Sequence, residues 1–203
     1  MFYWRADHTS RKTAVLPLLI ALLFMSCESE RRPASFYSID SLVISQAHSL
    51  TAIQAGLFKE ALLSGKTDTL TYTPKDTAAW LHELDIFRKL EIINKPVNVG
   101  NYLVDDGLLD PGSNLTVKAF TSLEKLPVVY LKIYYQGSID KPRKLEALYD
   151  EGNLLFHSAR LLSMDFQQIE DRTVLTTYSI RGGQKMVLGD SVAFYISGKI
   201  LID

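Results

Sequence analysis

Few residues in this sequence are of a type and spacing that could do chemistry. A single cysteine, Cys27, follows directly on an apolar run. One thiol allows neither an intramolecular disulfide nor a thiolate metal cluster. A serine nucleophile of the hydrolase type needs a Gly-x-Ser-x-Gly elbow, whereas Gly112-Ser113 and Gly137-Ser138 stand in ordinary turn sequences. His48, His82 and His157 are widely separated, and His82-Glu83 lacks a second histidine four residues after the first, so the helical zinc pattern is missing. Gly182-Gly183 runs into Gln184-Lys185 without the spacing that lets amides wrap a phosphate, and it reads as a hairpin turn. Asp105-Asp106 and Asp150-Glu151 adjoin glycines, where carboxylates bond local backbone; acid–base work needs two carboxylates facing across a cleft. The sequence thus points to a chain that is not an enzyme, with no cofactor and no metal site.

The segment with the most recognition chemistry is Val128-Val129-Tyr130-Leu131-Lys132-Ile133-Tyr134-Tyr135. Alternation puts Val129, Leu131, Ile133 and Tyr135 on one face as core, and Tyr130, Lys132 and Tyr134 on the other. The expected neighbouring strand, Leu154 to Met164, offers Phe156 and Arg160. Tyr130, Lys132, Tyr134, Phe156 and Arg160 are therefore the candidate ligand-facing residues, since a curved sheet of aromatics and cations suits an apolar or anionic ligand. The alternative is a central strand covered on both sides, with tyrosines straddling core and water.

These residues need positioning elements. From Asp40 to Leu63, Val43, Ala47, Leu50, Ile53, Leu57 and Ala61 recur every three or four residues and predict a helix capped by Asp40 and stopped at Ser64-Gly65. Thr67 to Thr73 alternates as a short strand. Asp76 caps a second predicted helix, with Trp80, Leu84 and Phe87 on one face and an end at Lys95-Pro96. Strands are predicted over 97–104, 115–121, 128–136, 144–150, 154–164, 173–181, 185–188 and 192–202. The turns between them are too short for anything but antiparallel neighbours. The expected fold class is α+β, two N-terminal helices packed on an antiparallel, mostly meander sheet.

The N-terminus is built differently. Arg5, Arg11 and Lys12 precede Thr13 to Ser26, a run interrupted only by Pro17. As a helix it would span about 21 Å, short of the roughly 30 Å hydrocarbon core, so it reads as a signal-peptide core. Phe24-Met25-Ser26-Cys27 resembles the lipobox of bacterial lipoproteins, with Phe24 where leucine is commonest. The resemblance implies cleavage before Cys27 and lipid attachment there; two or more acyl chains anchor durably where one does not. Glu28 to Ser35 is polar and aperiodic. The organisation expected is a lipoprotein signal peptide over 1–26, a lipidated tether over 27–37 and a single α+β domain over 38–203.

The 203 residues are 47% hydrophobic and 22% charged, within the range of ordinary globular domains. Overall charge is −1; residues 1–26 carry +2 (Arg5, Arg11 and Lys12 against Asp7), so the rest carries −3. A mildly acidic body without a Lys/Arg stripe makes nucleic acid an unsuitable partner. Asp76-Thr77-Ala78-Ala79-Trp80, Glu83-Leu84-Asp85-Ile86-Phe87, Tyr130 to Tyr135 and Gly182 to Met186 resemble uncharacterised lipoproteins of the Bacteroidetes. That resemblance implies the cell envelope, an outer-membrane lipid anchor and no particular chemistry. The expected function is a membrane-anchored envelope lipoprotein, a non-enzymatic module that binds a partner protein or serves envelope assembly; the alternative is a carrier of lipid or another apolar ligand.

Overall fold

The computed structural model describes Met1 and residues 37–169, 171–187 and 189–202. The expected signal peptide 1–26, Cys27 and the tether up to residue 36 lie outside the described residues. Ser35–Asp203 forms a compact unit by itself.

Helix α1 (Ile39–Ala52) begins at Ser38, whose Oγ accepts the Ser41 N–H at 3.1 Å. Asp40, the cap expected from sequence, stands instead in the first turn and pairs with Arg88 at 2.6 Å. Ile39, Val43, Ala47 and Leu50 form the buried stripe. Gln46 lies on the same stripe and is fully used: its Nε2 donates to the Thr173 carbonyl at 3.0 Å and its Oε1 accepts the Leu175 N–H at 2.7 Å. The helix stops at Ala52, eleven residues before the end predicted for it, because Gln54 adopts φ +50° and Gly56–Leu63 is strand β1.

Eight further strands follow: β2 (Lys66–Tyr72), β3 (Tyr102–Leu109), β4 (Thr116–Ser122), β5 (Val128–Tyr135), β6 (Pro142–Gly152), β7 (Phe156–Ile169), β8 (Arg172–Met186) and β9 (Ser191–Leu201). They make one nine-stranded antiparallel sheet in the order β2-β1-β9-β8-β7-β6-β5-β4-β3. β3 to β9 form the expected meander, and β9 then returns to pair with β1. The fold is α+β, but the helical elements do not all precede the sheet, since hairpin β1–β2 separates α1 from the rest.

The chain linking the two edge strands, β2 and β3, is the second helical stretch. It is broken into α2 (Thr77–Glu83), α3 (Asp85–Arg88), a 3-10 segment (Lys89–Asn94) and α4 (Pro96–Val99). Asp76 caps α2 as expected, accepting the Ala79 N–H at 2.8 Å. Leu84 interrupts the regular helix at ψ 9°, and Pro96 opens a last helical turn, so β3 starts at Tyr102 rather than at 97. Trp80, Leu84, Phe87, Leu90 and Ile93 are completely buried on this crossing. They meet Leu57, Phe120, Leu131, Ile133, Leu145, Leu162, Met164 and Tyr178 in one cluster. Each such side chain contributes about 1.5–3 kcal/mol by leaving water. Leu57 of β1 and Tyr102 of β3, near opposite edges, belong to the same cluster, so the sheet curls around the helical crossing.

Gly182-Gly183 is not a hairpin turn. Both glycines sit inside β8, opposite Arg160 and Ala159 of β7 and Phe194 and Ala193 of β9. A β-carbon at Gly182 would lie 2.5 Å from the Ala159 carbonyl oxygen and 2.8 Å from Phe194 Cζ. Glycine is thus required by close approach rather than by chain reversal.

Candidate functional site

The register divides the candidate residues between two faces. On the helix-facing side Leu131, Ala147, Leu162 and Ile180 are in line across β5 to β8, and Arg160 is two residues from Leu162 along β7. Tyr130, Lys132 and Tyr134 point the other way, opposite Leu148, Glu146 and Lys144. The sequence groups Tyr130, Lys132, Tyr134, Phe156 and Arg160 as one surface; the first three share the outer face, whereas Phe156 and Arg160 lie on the inner one. A register shift between Val128 and Tyr130 also makes Val128, rather than Val129, the buried residue.

On the outer face the five side chains Tyr130, Lys132, Tyr134, Lys144 and Glu146 form a ladder. Lys132 Nζ lies 5.3 Å from the Tyr130 ring centroid, and Lys144 Nζ lies 5.4 Å from that of Tyr134. Glu146 stands between them, accepting from Lys144 at 3.1 Å and, more distantly, from Tyr130 Oη at 3.4 Å. Burial, then the Glu146 charge, pushes both tyrosine hydroxyls upward, so they stay neutral donors. Burial alone would lower Lys144, but Glu146 outweighs it and keeps the ammonium charged. The ladder is half-buried, and each long side chain already has a partner that fixes its rotamer.

On the inner face Arg160 Nη1 pairs with Glu151 at 2.9 Å. Asp150, on the other side of the strand, pairs with His157 Nε2 at 2.7 Å. These acids belong to β6 and pair across to β7 rather than capping a turn. Asp106 lies beside Gly107, at φ +82°, where the β3–β4 register shifts, and accepts from Lys118 at 2.8 Å and Tyr135 at 3.1 Å.

The most concentrated polar site is one that sequence reasoning missed. Glu83, at the end of α2, projects onto the inner face with its side chain 10% exposed. Its carboxylate accepts from Lys59 Nζ at 2.6 Å, from Tyr72 Oη at 3.0 Å and from the Tyr178 hydroxyl. Burial alone would raise the carboxyl, but the Lys59 and Tyr178 hydrogen bonds, the Lys59 charge and Tyr72 together hold it below its ordinary value. Tyr72 is pushed up to about 12, first by burial and then by Glu83, and Tyr178 is raised further by the same causes. Three donors converge on one acceptor, which ties α2 to β1, β2 and β8. The signal for it was an acid within the Trp80–Leu84–Phe87 stripe, at a position where a helix face is otherwise apolar.

Chemically, the outer ladder can donate hydrogen bonds and stack; the Glu83 cluster can hold structure, its carboxylate already shared among Lys59, Tyr72 and Tyr178. Among the described residues no three His, Cys, Asp or Glu side chains converge as metal ligands, and no helix is long and apolar enough to cross a membrane. No family model, curated protein or solved structure matches the chain.

Proposed function

We propose that this chain is an envelope lipoprotein, held to a membrane through Cys27, whose body is a non-enzymatic binding module for an envelope partner. The observation that carries the binding reading is the outer ladder of Tyr130, Lys132, Glu146, Lys144 and Tyr134. It presents aromatic faces and donors on the side of the sheet away from the helical crossing, with side chains preorganised by their own pairing. Tyrosines in such settings supply large contact area at low entropic cost. The carrier alternative asks for an uncovered inner face, and there Trp80, Leu84, Phe87, Leu90 and Ile93 fill the curve. The anchor rests on the charge-then-apolar-then-Cys27 order of the N-terminus.

Two measurements test this reading. Radiolabelled palmitate should enter the wild-type chain and not Cys27→Ser. A photo-cross-linking residue in place of Tyr134 should give a discrete adduct in cells, lost when Tyr130 and Lys132 are both changed to Ala; a label-free chain with no adduct sinks both halves of the proposal.

A further inference from the structure

Among the described residues β2 and β3 are the two edges of the sheet, and they are built differently. At β3 the register breaks between Asp105 and Leu108, Gly107 stands at φ +82°, and Asp105 and Asp106 flank the break. Irregularities and charges of this kind keep an edge from pairing with another chain. β2 has no such break. It runs in unbroken register against β1, without proline or glycine, and all of it except Tyr72 is exposed.

The outer backbone of β2 faces water. Ser64 at φ +50° and Gly65 at φ +80° make a two-residue turn of type I′, which sets Leu63 and Lys66 as a hydrogen-bonded pair. Bonding alternates along an antiparallel strand, so Lys66, Asp68, Leu70 and Tyr72 engage β1, while the N–H and C=O groups of Thr67, Thr69 and Thr71 point away from it. The Thr69 N–H bears this out: it donates to the neighbouring Asp68 Oδ1 at 2.9 Å. Three threonines, β-branched residues that favour strands, thus carry the outward donors and acceptors of this edge.

We infer that β2 pairs with β2 of a second copy of this chain, antiparallel about a two-fold axis at Thr69, joining two sheets into one. A row of outward backbone donors and acceptors is matched by another extended strand. The sequence of β2 is complementary to itself. With the axis at Thr69 all of Lys66–Tyr72 overlaps: Thr69 faces Thr69, Thr67 faces Thr71, Asp68 faces Leu70 and Lys66 faces Tyr72. The threonines then exchange both backbone bonds, their hydroxyls meet on one face, and no like charges stand directly opposite. Moving the axis one residue toward the turn sets Asp68 against Asp68; moving it the other way runs Lys66 past the end of the strand. Charge also favours the Thr69 axis, since Lys66 comes beside Tyr72 of the other copy, whose hydroxyl donates to the Glu83 carboxylate at 3.0 Å.

One strand against one strand buries less than the roughly 1,200 Å² of a stable interface, so the dimer is weak and strengthens with local concentration. The pairing uses neither Cys27 nor the outer ladder. It therefore holds or fails apart from the function proposed above.

The test traps the dimer covalently. It uses the full chain carrying Cys27→Ser, which removes the sole native thiol, with single cysteines added and oxidised glutathione as the oxidant. Opposite residues of a hydrogen-bonded pair lie about 5.5 Å apart at Cα, within disulfide reach. Thr69→Cys should therefore give a disulfide-linked dimer. Thr67→Cys and Thr71→Cys should each give little alone, because four residues of about 3.4 Å separate each position from its own copy, and should cross-link when the two chains are mixed. Leu103→Cys, exposed on β3, is the control and should stay monomeric. Adding Thr69→Pro to both chains of the mixture removes an N–H that β1 does not use, and Thr69→Lys sets like charges across the axis without altering the backbone. Either should lower the mixed disulfide several-fold, with the melting temperature within a few degrees of the parent's. No dimer from Thr69→Cys overturns the inference, as do equal yields at 67, 69 and 103. A mixed disulfide indifferent to Thr69→Lys overturns it too and leaves β2 as an edge for another protein.

Discussion

The ring of Tyr178 occupies the space where Gly198 lacks a side chain: a β-carbon at 198 would fall 2.6 Å from Tyr178 Oη and closer still to two ring carbons. The two residues face each other across β8 and β9, and the same ring stands edge-on to Phe87 at 5.9 Å. Gly198→Ala must therefore push Tyr178 off either Phe87 or Glu83. A loss of about 1–3 kcal/mol follows from forced overpacking, read as a lower midpoint in thermal unfolding. A variant that melts with the wild type would show that the ring has room to move.

The Glu83 cluster makes stability sensitive to acid. Its folded-state pKa is depressed below the ordinary 4.5, so its contribution is complete above that value and is lost as pH falls through the lower folded one. Glu83→Ala leaves Lys59, Tyr72 and Tyr178 without their shared acceptor and should cost about 3 kcal/mol at neutral pH. Glu83→Gln retains an acceptor but not the charge. Its melting temperature should fall less steeply than the wild type's between pH 5 and about pH 3; parallel acid profiles would remove the carboxylate from the account.

At the alkaline end the sign reverses. Tyr37, Tyr72 and Tyr102 are all pushed from 10.0 up to about 12, chiefly by burial. A raised tyrosine favours the protonated fold, so this stabilisation is intact below pH 10 and is lost as pH climbs through about 12. Absorbance titration of tyrosinate should show a fraction ionising only together with loss of the β-sheet signal. Ionisation of all ten tyrosines near pH 10 in the folded protein would contradict the burial.

The sheet from β4 to β7 and β9 was legible because alternation there runs over several residues between register shifts, as from Tyr130 to Tyr134, and turn residues separate the strands. Strand β1 was not. Leu57 and Ala61 stand four apart, a spacing that fits two strand repeats as well as one helical turn, so the helical stripe of α1 ran on into them; Gly56 was the available warning. Gly182-Gly183 misled for a related reason, since a glycine pair means a turn unless a neighbouring ring needs the space, and Phe194 is twelve residues away. Period two puts Tyr130, Lys132 and Tyr134 on one face of β5, but it cannot say which face of a neighbouring strand joins them, and Phe156 and Arg160 lie on the other side. Glu83, Lys59, Tyr72 and Tyr178 span 120 residues of chain, and only the fold assembles them.

The outer ladder and the Glu83 cluster make opposite predictions under mutation. Tyr130→Ala and Lys132→Ala each remove half of a half-buried cation–π pair, worth about 1 kcal/mol, at positions whose backbone is held by β4 and β6 on either side. Their melting temperatures should stay within a few degrees of the wild type's. Lys59→Met, one strand away from the edge and also an amine-to-methyl change, breaks the 2.6 Å contact to Glu83 and strands a carboxylate that is 10% exposed, so it should unfold markedly earlier. If the ladder exists for recognition, cross-linking from position 134 should fail in the first two variants although they fold, and should survive in Lys59→Met below its melting point. The reverse pattern, destabilisation at the ladder with cross-linking intact, would make those tyrosines and lysines part of the scaffold and leave recognition to another surface.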